Sequence, residues 1–263
     1  MSRILCLLVL CLGFLTQAAA KDELLEISGR NGVKVKTLLT WQPETKAQLV
    51  VILLPGGKGD YRFSASVSGI SMIREQRLPN RLRPLLLQRN VASLMVDAPS
   101  DMPEMDDDFR ASASHLTDLK AVVVEANKRF PGAPIVVVGH SNGSMSATYL
   151  AAATPQQLIG AILIDGRLAK RIWFGDGLSK YDWNRIKIPL LLIHHRKDDC
   201  YATPYQGSEE VAKRVPRFEL LVIDPPGSKA TGGCTYESTH NLLGQEAVVA
   251  DAIVRWAEKQ LKK

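Results

Sequence analysis

Position 141 is a serine framed by glycines two residues to either side, in Gly139-His140-Ser141-Asn142-Gly143. A serine hydroxyl is a weak nucleophile at neutral pH. It needs a general base within hydrogen-bond reach, and that base needs a carboxylate to hold its ring. The chain has five histidines from which to draw the base. His140 adjoins the serine and is expected to point away from it. His115 falls at the start of a predicted helix, and His194 and His195 at the end of a predicted strand. His240 alone lies in a polar stretch between the last predicted strand and the last helix, which makes it the candidate base. Asp198 and Asp199 follow a strand and lie between the serine and that histidine in sequence. Asp198 is preferred as the orienting acid, Asp199 is the alternative, and Asp165, after the preceding strand, is the weaker candidate. Brought together, three such groups would carry out acyl transfer: attack on a carbonyl carbon, a covalent acyl intermediate, and its release to water.

These side chains need a scaffold. Residues 133–138 are short, apolar and β-branched and read as a buried strand, and the alanine-rich stretch 144–153 reads as a helix. A strand-to-helix turn with the serine at its apex holds that side chain strained and exposed, and a Cβ at either flanking glycine would clash with a neighbouring element. The N–H of Asn142, at the helix N-terminus, is one candidate donor to an oxyanion. The N–H of Gly57, in Leu54-Pro55-Gly56-Gly57, is the other, since Pro55 cannot donate. Residues 27–41 read as a hairpin turning at Arg30-Asn31-Gly32. Further strands are expected at 48–54, 91–96, 159–164, 189–193 and 218–223, and helices at 78–88, 116–130, 209–215 and 245–261. This alternation predicts an α/β domain, a mainly parallel sheet with helices on both faces. Residues 167–187 interrupt it and carry Trp173, Phe174, Tyr181 and Trp183. They are too few for a cap domain, and read either as a small lid or as a surface loop pinned by its aromatics.

The order Ser141, Asp198, His240, the glycine-framed serine and the stretch His195-Arg196-Lys197-Asp198 resemble the α/β-hydrolase family, over essentially all of residues 21–263. The resemblance implies a single-domain α/β-hydrolase fold with no large cap. It also implies Ser141 as nucleophile, His240 as base and Asp198 as acid, no cofactor, and a small-molecule substrate, carboxylic esters first. The H-x-x-D-x-C form of the acid stretch, with Thr203-Pro204 downstream, looks like a group of small exported hydrolases of undefined substrate. The family's usual histidine-glycine pair after the third strand is replaced here by Leu54-Pro55-Gly56-Gly57. A secreted peptidase or amidase, and a non-catalytic binding module, are the alternatives on the same fold.

The first 20 residues read as a signal peptide: Arg3, an apolar run of about a dozen residues too short to span a bilayer, and Ala18-Ala19-Ala20 as cleavage site. The domain is then 21–263, secreted or periplasmic, with no membrane insertion after the leader is removed. Losing Arg3 lowers the formal charge of +6 by one. The basic residues are scattered without interleaved aromatics, which argues against nucleic-acid binding. Cys6 and Cys11 fall in the leader, leaving Cys200 and Cys234, an even number in an oxidising compartment, as a predicted disulfide. Two buried thiols are the alternative. No metal is expected: adjacent His194 and His195 point to opposite sides of a strand, and no zinc-type spacing occurs. The acidic run of Asp101, Glu104, Asp106, Asp107 and Asp108 lacks the glycine and spacing of an EF-hand loop and reads as a solvated loop that begins a helix.

Overall fold

The computed structural model describes residues 20–170, 175–227, 229 and 233–262. The leader expected over 1–20 therefore lies outside the described residues, apart from Ala20, as do Trp173 and Phe174. No helix among the described residues is long and apolar enough to cross a membrane.

In chain order the elements are β1 (Lys21–Ser28), β2 (Lys34–Trp41), β3 (Leu49–Leu54), β4 (Ser64–Ser66), β5 (Gly69–Ser71), α1 (Leu78–Leu87), β6 (Val91–Pro99), α2 (Asp107–Ala111), α3 (Ala113–Arg129), β7 (Ile135–His140), α4 (Gly143–Ala153), β8 (Gly160–Ile164), β9 (Leu190–His195), α5 (Tyr205–Arg214), β10 (Glu219–Ile223) and α6 (Glu246–Leu261). One eight-stranded sheet runs in the order β1-β2-β6-β3-β7-β8-β9-β10. β1 and β2 pair antiparallel, as do β2 and β6, and every later neighbour is parallel. The small hairpin β4–β5 stands apart. It is serine-rich and mostly exposed, so no apolar alternation marks it in the sequence.

The central strands are buried throughout and send alternate side chains to two cores. From β3, Val50, Ile52 and Leu54 pack with α3, α4 and Val211 of α5, while Leu49, Val51 and Leu53 pack with α1 and α6. Each large aliphatic side chain so buried stabilises the fold by about 1.5–3 kcal/mol relative to exposure. Helices therefore cover both faces, and no large cap is inserted between strands. The order reverses at β3: the chain passes from β3 to β6 on one side, then to β7 on the other. Loops leaving the C-terminal ends of β3 and β7 thus emerge side by side, the position at which open α/β sheets hold their ligands.

Element bounds move where capping overrides periodicity. β1 reaches back to Lys21, with Leu25 and Ile27 buried and Glu26 and Ser28 exposed, rather than starting near 27. α3 starts at Ala113 because the Ser112 side chain accepts from His115 N. α5 starts at Tyr205, directly after Pro204, four residues before the amphipathic pattern is legible. The acidic run does begin a helix: Asp106 caps α2 by accepting from Phe109 N.

Candidate active site

Ser141 follows β7 directly. Its φ of +53° is the left-handed region, unusual for a residue with a Cβ and costing about 1–3 kcal/mol. Packing holds the strain in place. The Ser141 N–H is bonded to Ile164 O of β8 (2.9 Å), and α4 begins two residues later. A Cβ on Gly139 would strike the Gly143 carbonyl, and one on Gly143 would strike the Leu54 carbonyl. The β3 loop comes closer still: a Cβ on Gly56 would lie 2.7 Å from Ser141 Cβ. Gly56, rather than Gly57, is thus the glycine that lets this loop approach the serine.

His240 lies in a 3₁₀ turn, Thr239–Asn241, between β10 and α6. Its Nδ1 stands 3.1 Å from Asp198 Oδ2 and 2.9 Å from Thr203 Oγ1. Thr203 donates its own proton to Asp198 Oδ2 (2.9 Å). With both neighbours acting as acceptors, Nδ1 carries the hydrogen, which leaves the Nε2 lone pair for chemistry. Ser141 and His240 line one cleft of about 670 Å³, the size of a small-molecule site. No hydrogen bond joins Ser141 Oγ to the imidazole among the described residues. Such bonds are often long before substrate binds.

Asp198 is the most heavily partnered group of the site. Its side chain is fully buried. Oδ1 accepts from Cys200 N (2.9 Å), and Oδ2 meets His194 Nε2 at 3.1 Å in addition to His240 and Thr203. Burial pushes its pKa up, but the hydrogen bonds from His194 and His240 outweigh burial and hold the carboxyl below the ordinary carboxylate range. Asp165 behaves oppositely. Burial and then the Asp198 charge push it well up, against one backbone bond from His195 N (2.8 Å), and its Oδ2 is buried without a partner among the described residues. Asp199 reaches Thr239 Oγ1 (3.3 Å) and not the imidazole. The structure therefore places Asp198 on His240 and leaves Asp199 and Asp165 off its ring nitrogens.

His140 lines the same cleft, its ring centroid 5.1 Å from that of His240. Its Nε2 donates to the His240 carbonyl (3.0 Å), so it holds the turn on which the candidate base sits. Burial and the neighbouring His240 keep its pKa down at about 3, and it stays neutral.

Neither the N–H of Asn142 nor that of Gly57 is engaged among the described residues, and both residues line the cleft. The Gly56 carbonyl accepts from Arg77 Nη1 (3.2 Å) and Gly59 N (3.1 Å), which turns the Gly57 N–H of the same peptide unit to the opposite side. The Gly57 carbonyl accepts from Asn142 Nδ2 (3.1 Å) and Arg110 Nη2 (3.0 Å). The loop is pinned from both ends. Sequence reasoning missed Arg77, Arg110, His194 and Thr203. Of these, only the four-residue step from His194 to Asp198, which spans a turn, left a pattern that could have been read.

Cys200 and Cys234 form the predicted disulfide and line the cleft beside Tyr201 and Tyr236. It joins the loop carrying Asp198 to the loop carrying His240. Residues 167–187 do not close over the cleft among the described residues. Trp183 is buried against Tyr181 (5.2 Å) and Phe218 (5.8 Å), a loop pinned by its aromatics, and only Arg167 reaches the cleft wall. Three overlapping groups, drawn from His140, Asp165, His194, Asp198, Cys200 and His240, offer metal-ligand atoms within 4.8 Å of one another. Cys200 is spent on the disulfide, and one Asp198 oxygen already meets both imidazoles, so the two groups that contain Asp198 do not fit an ion.

Comparisons with known proteins bear on the fold. The family described as Phospholipase/Carboxylesterase matches residues 94–215. No curated protein sequence matches the chain. Among solved structures, Est1E from Butyrivibrio proteoclasticus superposes with TM-score 0.63 at 18% identity, covering 91% of this chain and 99% of that one. XC6422 from Xanthomonas campestris, an a/b serine hydrolase without lid, gives 0.61 at 14% identity, covering 90% and 95%. The Pyrococcus furiosus esterase Pf2001 gives 0.62 at 19% identity, covering 90% and 93%. The chain shares the α/β fold of these solved structures.

Proposed function

We propose that this protein is an exported serine hydrolase that cleaves carboxylic esters through Ser141, His240 and Asp198. One observation carries the reading: Asp198 Oδ2 lies on His240 Nδ1, and that histidine shares a cleft with a serine held at positive φ at the apex of a strand-to-helix turn. Ser141 Oγ attacks the ester carbonyl carbon as its proton passes to His240 Nε2. Asp198 stabilises the imidazolium through Nδ1. The carbonyl oxygen becomes an oxyanion facing the N–H groups of Asn142 and Gly57, where each donor contributes about 3 kcal/mol. Collapse breaks the ester C–O bond, and the alcohol leaves with the proton from Nε2. Water then attacks the acyl-enzyme, gives its proton to Nε2, and the acid departs as Ser141 recovers that proton. The leader read over 1–20 and the disulfide, which suits an oxidising compartment, support export.

A fluorophosphonate probe and a panel of acyl esters test this on the purified protein. Labelling and turnover are expected, and both are lost in Ser141→Ala. Cleavage of aminoacyl-p-nitroanilides in preference to esters would make it a peptidase instead. No labelling at neutral pH would leave a binding module.

A further inference from the structure

Lys58, Arg74, Arg77 and Arg167 line the cleft with Ser141 and His240, and no Asp or Glu lines it among the described residues. The nearby acids do not balance these cations. Asp60, 1% exposed, accepts from Arg74 Nη2 on Oδ2 (3.0 Å) and pairs with Arg77 Nη2 through Oδ1 at 3.5 Å. One buried carboxylate between two guanidiniums leaves a net positive charge on the wall. Arg77 also donates Nη1 to Gly56 O, in the loop that packs on Ser141, so this charge sits beside the candidate nucleophile. Arg110 adds another. It is 1% exposed beneath the same loop, bonded to the Pro55 and Gly57 carbonyls and to Ser146 Oγ, with no ion pair within 4.0 Å among the described residues. By contrast Arg167 is matched by Asp107, and Lys58 by Glu104 at the rim.

Arg74 is the exposed end of this array. Its side chain keeps 35% of its surface open. Nη1 bonds Tyr236 Oη at 3.1 Å, on the loop that carries His240. Its backbone is left-handed (φ +61°), a conformation that a non-glycine residue holds only when its surroundings enforce it. A cleft with one sign of charge and low-dielectric walls concentrates ligands of the other sign.

We propose that the cleft selects small esters bearing a carboxylate on the acyl chain, with Arg74 and Arg77 receiving that carboxylate while the ester carbonyl lies at Ser141. The inference rests on the hydrolase reading for its chemistry and on the cleft alone for its specificity.

Two measurements test it. In the first, kcat/KM for monomethyl adipate is compared with that for methyl hexanoate. The anionic ester is expected to lead by about tenfold at low salt, and the lead shrinks in about 0.5 M NaCl because charges at the exposed mouth are screened. Arg74→Gln removes most of the lead and Arg74→Lys restores part of it. In the second, which needs no turnover and no Arg74 variant, adipate and dimethyl adipate are titrated into Ser141→Ala by calorimetry. Adipate is expected to bind the tighter. Equal rates for the two esters, or equal binding of the two adipates, overturn the anion site even where neutral esters are hydrolysed. Adipate binding with neither ester cleaved overturns the hydrolase reading and leaves the anion site standing.

Discussion

Asp198 serves two imidazoles with one oxygen. His194 Nε2 and His240 Nδ1 both stand 3.1 Å from Oδ2, and His194 is anchored on its other side by Ser208 Oγ at 2.6 Å. His194 Nε2 also faces the Thr203 carbonyl at 3.0 Å, so it donates. The carboxylate is thereby held ionised and unable to rotate away from the candidate base. Asp165, a few ångströms off, is pushed toward its protonated form, which spares the cluster a second buried negative charge. Two acids in one pocket, with environments that drive their pKa values apart, assign their own roles. Asp198→Asn is expected to lower kcat for esters by about 10³–10⁴ through loss of the correct His240 tautomer. Asp199→Asn is expected to change it by no more than a few-fold, since Asp199 accepts from Thr239 Oγ1 (3.3 Å) rather than from the His240 ring. Comparable losses in both variants would remove Asp198 from the proposed acid role.

At the scale of elements, the sheet was legible because β3, β7, β8 and β9 are buried on both faces and read as apolar runs, interrupted only by the histidines that end β7 and β9. The serine turn was legible because two glycines are forced by close contacts across it, of Gly139 with Gly143 and of Gly143 with Leu54. Asp198 and His240, which the fold brings into contact, could be singled out as candidates by chain order. What the sequence hid are partners joined only by the fold: Arg77 on the Gly56 carbonyl, 21 residues away, and Thr203 on His240, 37 away. No local pattern reports such a pair. The Cys200–Cys234 bond is the covalent form of the same long-range coupling. It closes a separation of 34 residues, and a crosslink of that span is worth about 3–4 kcal/mol against the unfolded chain. It also fixes the Asp198 loop against the His240 loop. Cys234→Ser, or reduction of the wild type, is expected to lower the denaturant midpoint and kcat together. Retention of both would show that the hydrogen bonds on Asp198 suffice to register the two loops.

The acid response of the whole molecule follows from the ionisable groups it buries. His115, on α3, meets Ser146 Oγ of α4 at 2.9 Å, and the same hydroxyl accepts from Arg110 Nη1 at 2.9 Å. The hydroxyl proton is therefore directed to His115 Nε2, which must be unprotonated to accept it. Burial first, then the Arg110 charge, hold the His115 pKa down at about 3. An unfolded histidine titrates near 6.5. Between those two values the unfolded chain binds a proton at this position and the folded chain does not, so stability falls as pH falls through that window. The linkage slope is about 1.4 kcal/mol per pH unit for one proton. Other buried groups also shape the acid response, some in the opposite sense, as Asp165 does, its pKa being raised by burial and the Asp198 charge. The position is isolated by difference. His115→Gln keeps an acceptor for Ser146 and removes the titration. Measured by urea unfolding from pH 6.5 toward 4, the variant is expected to gain on the wild type by about 1.4 kcal/mol for each unit of pH lowered. Parallel stability curves would mean that His115 takes up its proton in the folded state, and that the chain from Arg110 through Ser146, which backs the Gly57 loop, reorganises in acid.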